Sequence, residues 1–408
     1  MAAITEVQPA PQERSWLQSL GDELKIFWIG VSRNRAGFIG FLGILFYVIF
    51  ITLGPLFVEF DNAVKLDQIA APAGSRIQLL TRVENASKYT SLESLAGQTV
   101  GVVGNSGGKL MVEEYLAQNP DAFEVEDVGW RGGRGVGQML DDLDAGEVDA
   151  MLIFSQSVKD MRADEQYDDL IVSNPTLGPA HLLGTDTQGR DIFSHIVHGG
   201  RSLIMTALMA GLFSTLIAVT LGAMAALFGG MIDRALTGIA NFVLVLPRFP
   251  LLVVLAAFIQ LNNIVLLAAL IAVLSWPTLM RAIRAQVLSL RERDYVEAAV
   301  ALDLGTRHII TREILPNMIS FVAINLIFAV TGAMYEQVGL IFLGMAPIND
   351  YSWGVMLYFG RTRGTLFNPD SALMVLAPVF AIAFFQVSMV LFARALEEIF
   401  NPRLRASV

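Results

Sequence analysis

Two histidines, His195 and His198, stand three residues apart. That spacing places two imidazoles on one face of a helix. No carboxylate lies in a register that would complete a metal shell, and the chain has no cysteine. No metal, thiolate zinc site or disulfide framework is therefore expected. Val103 through Lys109 comes nearest to a phosphate-binding loop, but its first glycine is missing and Leu110 stands where Ser or Thr is needed. No nucleophile has a base in an obvious register. No catalytic residue is expected, and the chain does not read as an enzyme. What remains is the chemistry of binding. Asn105, Ser106, Gly107 and Gly108 follow the strand-like run Thr99–Val103 and open a helical pattern, so their free amides form a candidate anion site. Arg248 lies between Pro247 and Pro250, near the middle of an apolar run. A charge there is costly and turns toward protein or a watery path. It is a candidate pathway residue for a substrate carboxylate, with an ion pair to another helix as the alternative.

The elements that must position these groups belong to two solvents. Of 408 residues, 54% are apolar and 16% charged, where soluble domains carry about 25% charged residues; mean hydropathy is +0.55. Net charge is −10. The segment from Asp61 to Asp191 holds 22 acids against 10 bases, so it carries all of that acidity. Spanning a hydrocarbon core takes about 20 apolar residues of helix. Six runs qualify in whole or part: Phe38–Val58, Leu203–Phe228, Ala235–Ile259, Ile264–Met280, Met318–Leu343 and Ala372–Phe392. The first is too long and too deep for a cleaved signal. Its Gly37, Gly40 and Gly43 recur every three positions, which permits close helix packing. Six spans put both termini and the Arg281–Arg312 loop on one side. That side carries Arg14, Lys25, Arg33, Arg35, Arg284, Arg291, Arg293, Arg307, Arg394, Arg403 and Arg405, and it should be cytoplasmic.

The loop 281–316 is longer than a connection between two spans requires. It contains Asp294-Tyr295-Val296-Glu297-Ala298-Ala299 and then Leu315-Pro316-Asn317. This resembles the EAA loop of ABC importer permeases, which forms short coupling helices for an ATPase subunit. Small Ala298 and Ala299 permit close approach, Glu297 is placed to pair or cap, and Pro316 breaks the helix before the next span. The family's glycine six residues after the glutamate is here Asp303, with Gly305 two residues later. Asp tolerates turn geometry, so a rearranged turn is expected. Asn34-Arg35-Ala36-Gly37, Leu183 through Asp191, Ser352-Trp353-Gly354 and Phe400 through Arg405 are similar to segments of the second permease subunit of dipeptide, oligopeptide and nickel importers.

That resemblance implies an all-α polytopic fold of six transmembrane helices, the type I ABC importer permease fold, in the cell membrane. It implies a second homologous permease subunit, two ABC ATPase subunits that use ATP and magnesium, and an extracytoplasmic solute-binding protein. No cofactor is expected on this chain and no nucleic acid partner. ATPase coupling would fall to Glu297, Ala298, Ala299, Asp303, Gly305, Leu315 and Pro316. Glu336 matches an acidic position of the family and reads as structural or gating. Peptides are the expected cargo. Nickel chelates, opines or glutathione remain open, as does a membrane sensor.

The acidic block, residues 61–180, reads as an inserted extracytoplasmic α/β domain. Strands are expected at 99–103, 123–128 and 148–154 and helices at 109–118 and 135–145, giving a small parallel-type sheet. Ser91–Val102 and Gly146–Met151 resemble one lobe of a solute-binding protein. Ligand contact, partner docking and plain decoration are all open for it. The remaining divisions are tails at 1–37 and 397–408, a first span at 38–60 and a permease core at 181–396.

Overall fold

The computed structural model describes residues 28, 30–65, 68–104, 106–128, 134–163, 167–259, 263–305, 308–346, 352–365 and 371–400. Helix α1 (Arg35–Phe57) starts at Asn34, whose side chain accepts the Gly37 N–H at 2.9 Å. Gly37, Gly40 and Gly43 are buried on the face that meets the last helix, α12 (Leu373–Phe400). A Cβ on Gly40 would lie 2.5 Å from the Phe392 nitrogen and 2.7 Å from the Ser388 oxygen. The three-residue glycine repeat is thus the seam along which two helices approach backbone to backbone.

The lobe follows α1. Its strands are β1 (Ile77–Arg82), β2 (Thr99–Val103), β3 (Glu124–Val128), β4 (Ala150–Phe154) and β5 (Leu170–Asn174). Its helices are α2 (Gly107–Gln118), α3 (Arg134–Ala145) and α4 (Ser155–Ala163). The sheet order is β3-β2-β4-β1-β5. β2 runs parallel to β3 and β4, while β1 runs antiparallel to β4 and β5. The sheet is therefore mixed, not parallel throughout. Every residue of β4 is buried. Leu152 and Phe154 join one apolar cluster and Met151 and Ile153 another, as alternation demands of a central strand covered on both faces.

The membrane part comprises α5 (Ile192–Phe228), α6 (Gly230–Val245), α7 (Arg248–Ile259), α8 (Ile264–Arg291), the short α9 (Asp294–Ala301), α10 (Leu315–Phe342), α11 (Trp353–Thr362) and α12. Among the described residues, five helices are long and apolar enough to cross a membrane, or six when α6 and α7 count as one broken span. That pair is the main departure from the sequence reading. Ala235–Ile259 is not one continuous helix: α6 and α7 meet at 86°. Pro247 explains the break. The residue before a proline is pushed out of the helical region, and Leu246 sits at ψ 136°. Arg248 consequently opens α7, at the break between the two helices. Helix α5 begins eleven residues before the apolar run and, at 37 residues, measures about 55 Å. It outruns the roughly 30 Å hydrocarbon core.

Three contacts fix the ends of the bundle. Asn34 Nδ2 donates to Glu398 Oε2 at 2.5 Å, setting the start of α1 beside the end of α12. Ser194 Oγ donates to the Glu59 carbonyl at 2.8 Å, setting the end of α1 beside the start of α5. Arg291 Nη1 donates to the Ala226 carbonyl, joining the far ends of α8 and α5. The lobe thus caps one end of the bundle and α9 lies at the other.

Candidate functional site

Helix α9 is built to show one face. Asp294 and Glu297 occupy its first turn, where carboxylates favour the amide end of a helix. Val296 and Ala299 are buried, and Val296 joins a cluster with Ile283, Val287, Leu290, Ile314 and Met318. Glu297 and Ala298 face outward. Beside them Val300 and Leu302 are 59% and 73% exposed, large apolar groups left open among the described residues. The two alanines therefore divide their work: Ala299 lets α9 lie close on its own chain, and Ala298 leaves the outer face flat.

Asp303 ends the helix. Its φ of 54° is left-handed. Its N–H donates to the Val300 carbonyl at 3.0 Å, and the Leu304 N–H donates to the Ala299 carbonyl at 3.1 Å. This pair of bonds is a Schellman closure, which usually takes glycine at the left-handed position. The turn stays at 303 and does not move to Gly305. Gly305 instead accepts the His308 N–H at 2.8 Å. The sequence expectation for Pro316 also needs correction. Helix continues across the junction, because Ile309–Ile314 is a π-helical turn that runs straight into α10, with Pro316 in its first turn. A proline lacks an N–H and crowds the preceding turn; here that turn widens, with the Leu315 N–H reaching back to the Ile310 carbonyl. A clamp steadies this end of the bundle. Arg284 Nε and Nη2 donate to the two carboxylate oxygens of Asp233 at 2.5 and 2.6 Å, the forked geometry that guanidinium groups favour.

Arg248 and Glu336 meet. Arg248 Nη2 forms an ion pair with Glu336 Oε1, so the ion-pair alternative describes Arg248 as it stands. The Glu336 side chain is 10% exposed and that of Arg248 40%. Glu336 Oε2 is buried without a hydrogen-bond partner among the described residues. The pair sits six residues before the end of α10, about 9 Å from it, toward the lobe end. Sequence reasoning named both residues but kept them apart. The available signal was charge parity: one base and one acid in two otherwise apolar runs are best accounted for by each other.

In the lobe, Ser106 caps α2 and accepts the Lys109 N–H at 3.1 Å. Gly107 and Gly108 are buried at its start, with the Gln68 side chain covering Gly107 and Leu152 against Gly108. Asn105 lies outside the described residues. Lys109 Nζ turns away to Asp127 at 2.5 Å. A junction network that the sequence did not reveal begins at Gln68. Its Oε1 lies 3.1 Å from His181 Nε2, and His181 Nδ1 lies 2.6 Å from Asp191 Oδ2. Asp191 in turn caps α5 by accepting the Ser194 N–H at 2.9 Å. Burial pushes the Asp191 carboxyl up, but the hydrogen bonds from His181, Ser194 and Phe193 outweigh it and hold the group below the usual aspartate range. His195 and His198 contact the Asp61 and Ser194 carbonyls at 2.8 and 2.9 Å.

Residues 218–406 match the family described as binding-protein-dependent transport system inner membrane component. A putative peptide permease protein of Brucella suis is 36% identical over 199 residues, covering 48% of this chain and 66% of its own length. The oligopeptide transport system permease protein OppC of Mycobacterium bovis is 32% identical over 207 residues, covering 49% of this chain and 70% of its own. The OppC protein of Haemophilus influenzae is 31% identical over 192 residues, 46% of this chain and 61% of its own. The chain thus spans about two thirds of the length of these curated relatives. Among solved structures, holo ArgBP from T. maritima is similar at 21% identity over 27% of this chain and 43% of that one, with a TM-score of 0.22. Domain 2 of TmArgBP is similar at 22% identity over 25% of this chain and 99% of that one, with a TM-score of 0.21. This chain, with its broken span and outward-facing α9, belongs to the family of binding-protein-dependent transport system inner membrane components.

Proposed function

We propose that the chain is a permease subunit of an ATP-driven peptide importer and forms half of its transmembrane pathway. The observation that carries this reading is α9. It pins one face to the bundle and leaves Glu297, Ala298, Val300 and Leu302 exposed at the end opposite the lobe. An uncovered apolar pair rimmed by charge is the pattern of a protein interface. Two ATPase subunits dock here and on the second, homologous permease, and a solute-binding protein delivers cargo at the lobe end. Peptide is the cargo class, a reading supported by the names of the relatives. The α9 end is cytoplasmic, because it carries Arg281, Arg284, Arg291, Arg293 and Arg312. On this reading 1–37 and 397–408 are cytoplasmic tails, 38–60 the first span, 61–180 the extracytoplasmic insert and 181–396 the core. The anion site at Ser106–Gly108 and the pathway role of Arg248 stay secondary to it.

The test is purification of the tagged subunit from native membranes in mild detergent, with mass spectrometry of what accompanies it. Recovery of a second permease, ATPase chains and a binding protein with bound peptide is expected. Recovery of this chain alone, in detergent that keeps known transporters assembled, overturns the reading.

A further inference from the structure

Between the end of α1 and the lobe lies a cavity of about 820 Å3, inside the ~300–1,000 Å3 range of small-molecule sites. Glu59 and Phe60 line it from the segment after α1, and Leu110, Met111 and Glu114 line it from α2 of the lobe. Phe193, in the first turn of α5, lines it as well. The cavity therefore has walls from the lobe and from the membrane bundle, where a single lobe has no cleft of its own.

Its lining is acidic and apolar together. Lys65 in the lining is already paired with Asp61 at 2.9 Å, and Asp191 with His181 at 2.6 Å. Glu59 and Glu114 are exposed, and neither carboxylate has a hydrogen-bond or ion-pair partner among the described residues. Phe60 and Leu110 are 41% and 40% exposed. Large apolar groups standing open around one cavity mark a binding surface more often than scattered ones do.

We propose that this cavity binds an organic cation with an apolar body. Glu59 and Glu114 hold its ammonium group, and Phe60, Leu110 and Met111 take its apolar part. The two free carboxylates repel an anion, and the apolar wall gives a bare metal ion nothing to use. The proposal deepens the importer reading: if the cargo is peptide, the ligand is a peptide presenting its amino-terminal ammonium.

The experiment uses the full chain in nanodiscs of phosphatidylglycerol, whose headgroup carries no amine. The probes are radiolabelled leucyl-phenylalanine amide, which has an ammonium and no carboxylate, and its N-acetylated form, which has neither. Saturable binding of the first and none of the second is expected. A Glu59→Gln/Glu114→Gln variant with unchanged melting behaviour should bind roughly fivefold more weakly, as for two exposed ion pairs. Equal binding of the acetylated probe, or unchanged affinity in the double variant, overturns the proposal. The two readings fail separately. Probe binding by a chain whose assembled transporter carries no peptide leaves the site standing and sinks the importer. Peptide import without probe binding to the chain sinks the site.

Discussion

Asp303 closes α9 in a conformation that L residues resist, so the turn should respond to substitution in both directions. A left-handed backbone costs an ordinary residue about 1–2 kcal/mol; Asp pays less than a branched residue because its short polar side chain bonds locally. Asp303→Gly keeps the φ of 54° and both Schellman bonds; it relieves the left-handed cost, offset in part by the freedom glycine gives the open chain, for a net gain of at most about 0.7 kcal/mol. Local opening then falls by at most about threefold. Asp303→Val adds a branched Cβ at the same φ and should cost about 1–2 kcal/mol, raising opening roughly five- to thirtyfold. Hydrogen exchange of the α9 peptide, read by mass spectrometry, reports this opening directly, because the 303 and 304 amides are the ones the closure protects. Within the assembled transporter, Asp303→Val should also lower ATPase activity stimulated by the binding protein, whereas Asp303→Gly should preserve it. Faster exchange in Asp303→Gly, or unchanged exchange in Asp303→Val, would refute the claim that this left-handed residue terminates the coupling helix.

The Arg248–Glu336 pair should behave as a unit. Arg248→Met strands a carboxylate whose side chain is 10% exposed and should destabilise by about 2–4 kcal/mol. Glu336→Gln leaves an arginine that is 40% exposed and should cost less, since solvent screens it. The double variant should recover most of the loss in detergent melting curves, and additive losses would contradict the pairing. Gly40→Ala places a Cβ 2.5 Å from a backbone nitrogen of α12 and should cost about 1–3 kcal/mol. Gly238→Ala, inside α6 and facing open space, should leave melting unchanged or raise it slightly. Asp191 is held below the usual aspartate range, so the folded chain binds that proton less readily than the unfolded chain does. Its stabilisation is present above the ordinary aspartate range and is lost as pH falls through the depressed folded value. Asp191→Asn keeps the helix cap but should flatten the decline in melting temperature as pH falls below about 5; an equally steep decline would contradict the assignment.

Much of this molecule could be read from local pattern. The apolar runs marked the spans and the spacing of Gly37, Gly40 and Gly43 marked a packing seam, whereas the turn after α9 was expected to rearrange and instead stays at Asp303. Strands β2, β3 and β4 carried their own signals. Strands β1 and β5 were missed because Ile77–Arg82 and Leu170–Asn174 are strands only by virtue of pairing with each other and with β4. The early start of α5 was hidden because His195, His198 and Arg201 lie outside the apolar run that marks the span, and the Asp191 cap that opens the helix carries no hydropathy signal. The Gln68–His181–Asp191 chain joins positions more than a hundred residues apart, and no spacing rule reaches that far. Pro247 lies within the apolar run Ala235–Ile259, and only the packed chain shows the 86° bend there.

The central claim is that α9 meets an ATPase in the cytoplasm. The chain has no cysteine, so Leu302→Cys introduces a unique thiol at the exposed end of α9. The decisive measurement is cross-linking of that thiol in the native membrane, paired with labelling of intact cells by a membrane-impermeant maleimide. The account predicts a cross-link to an ATPase subunit, altered by ATP, with no labelling until the membrane is broken. Labelling of intact cells, with no ATPase cross-link, would contradict it.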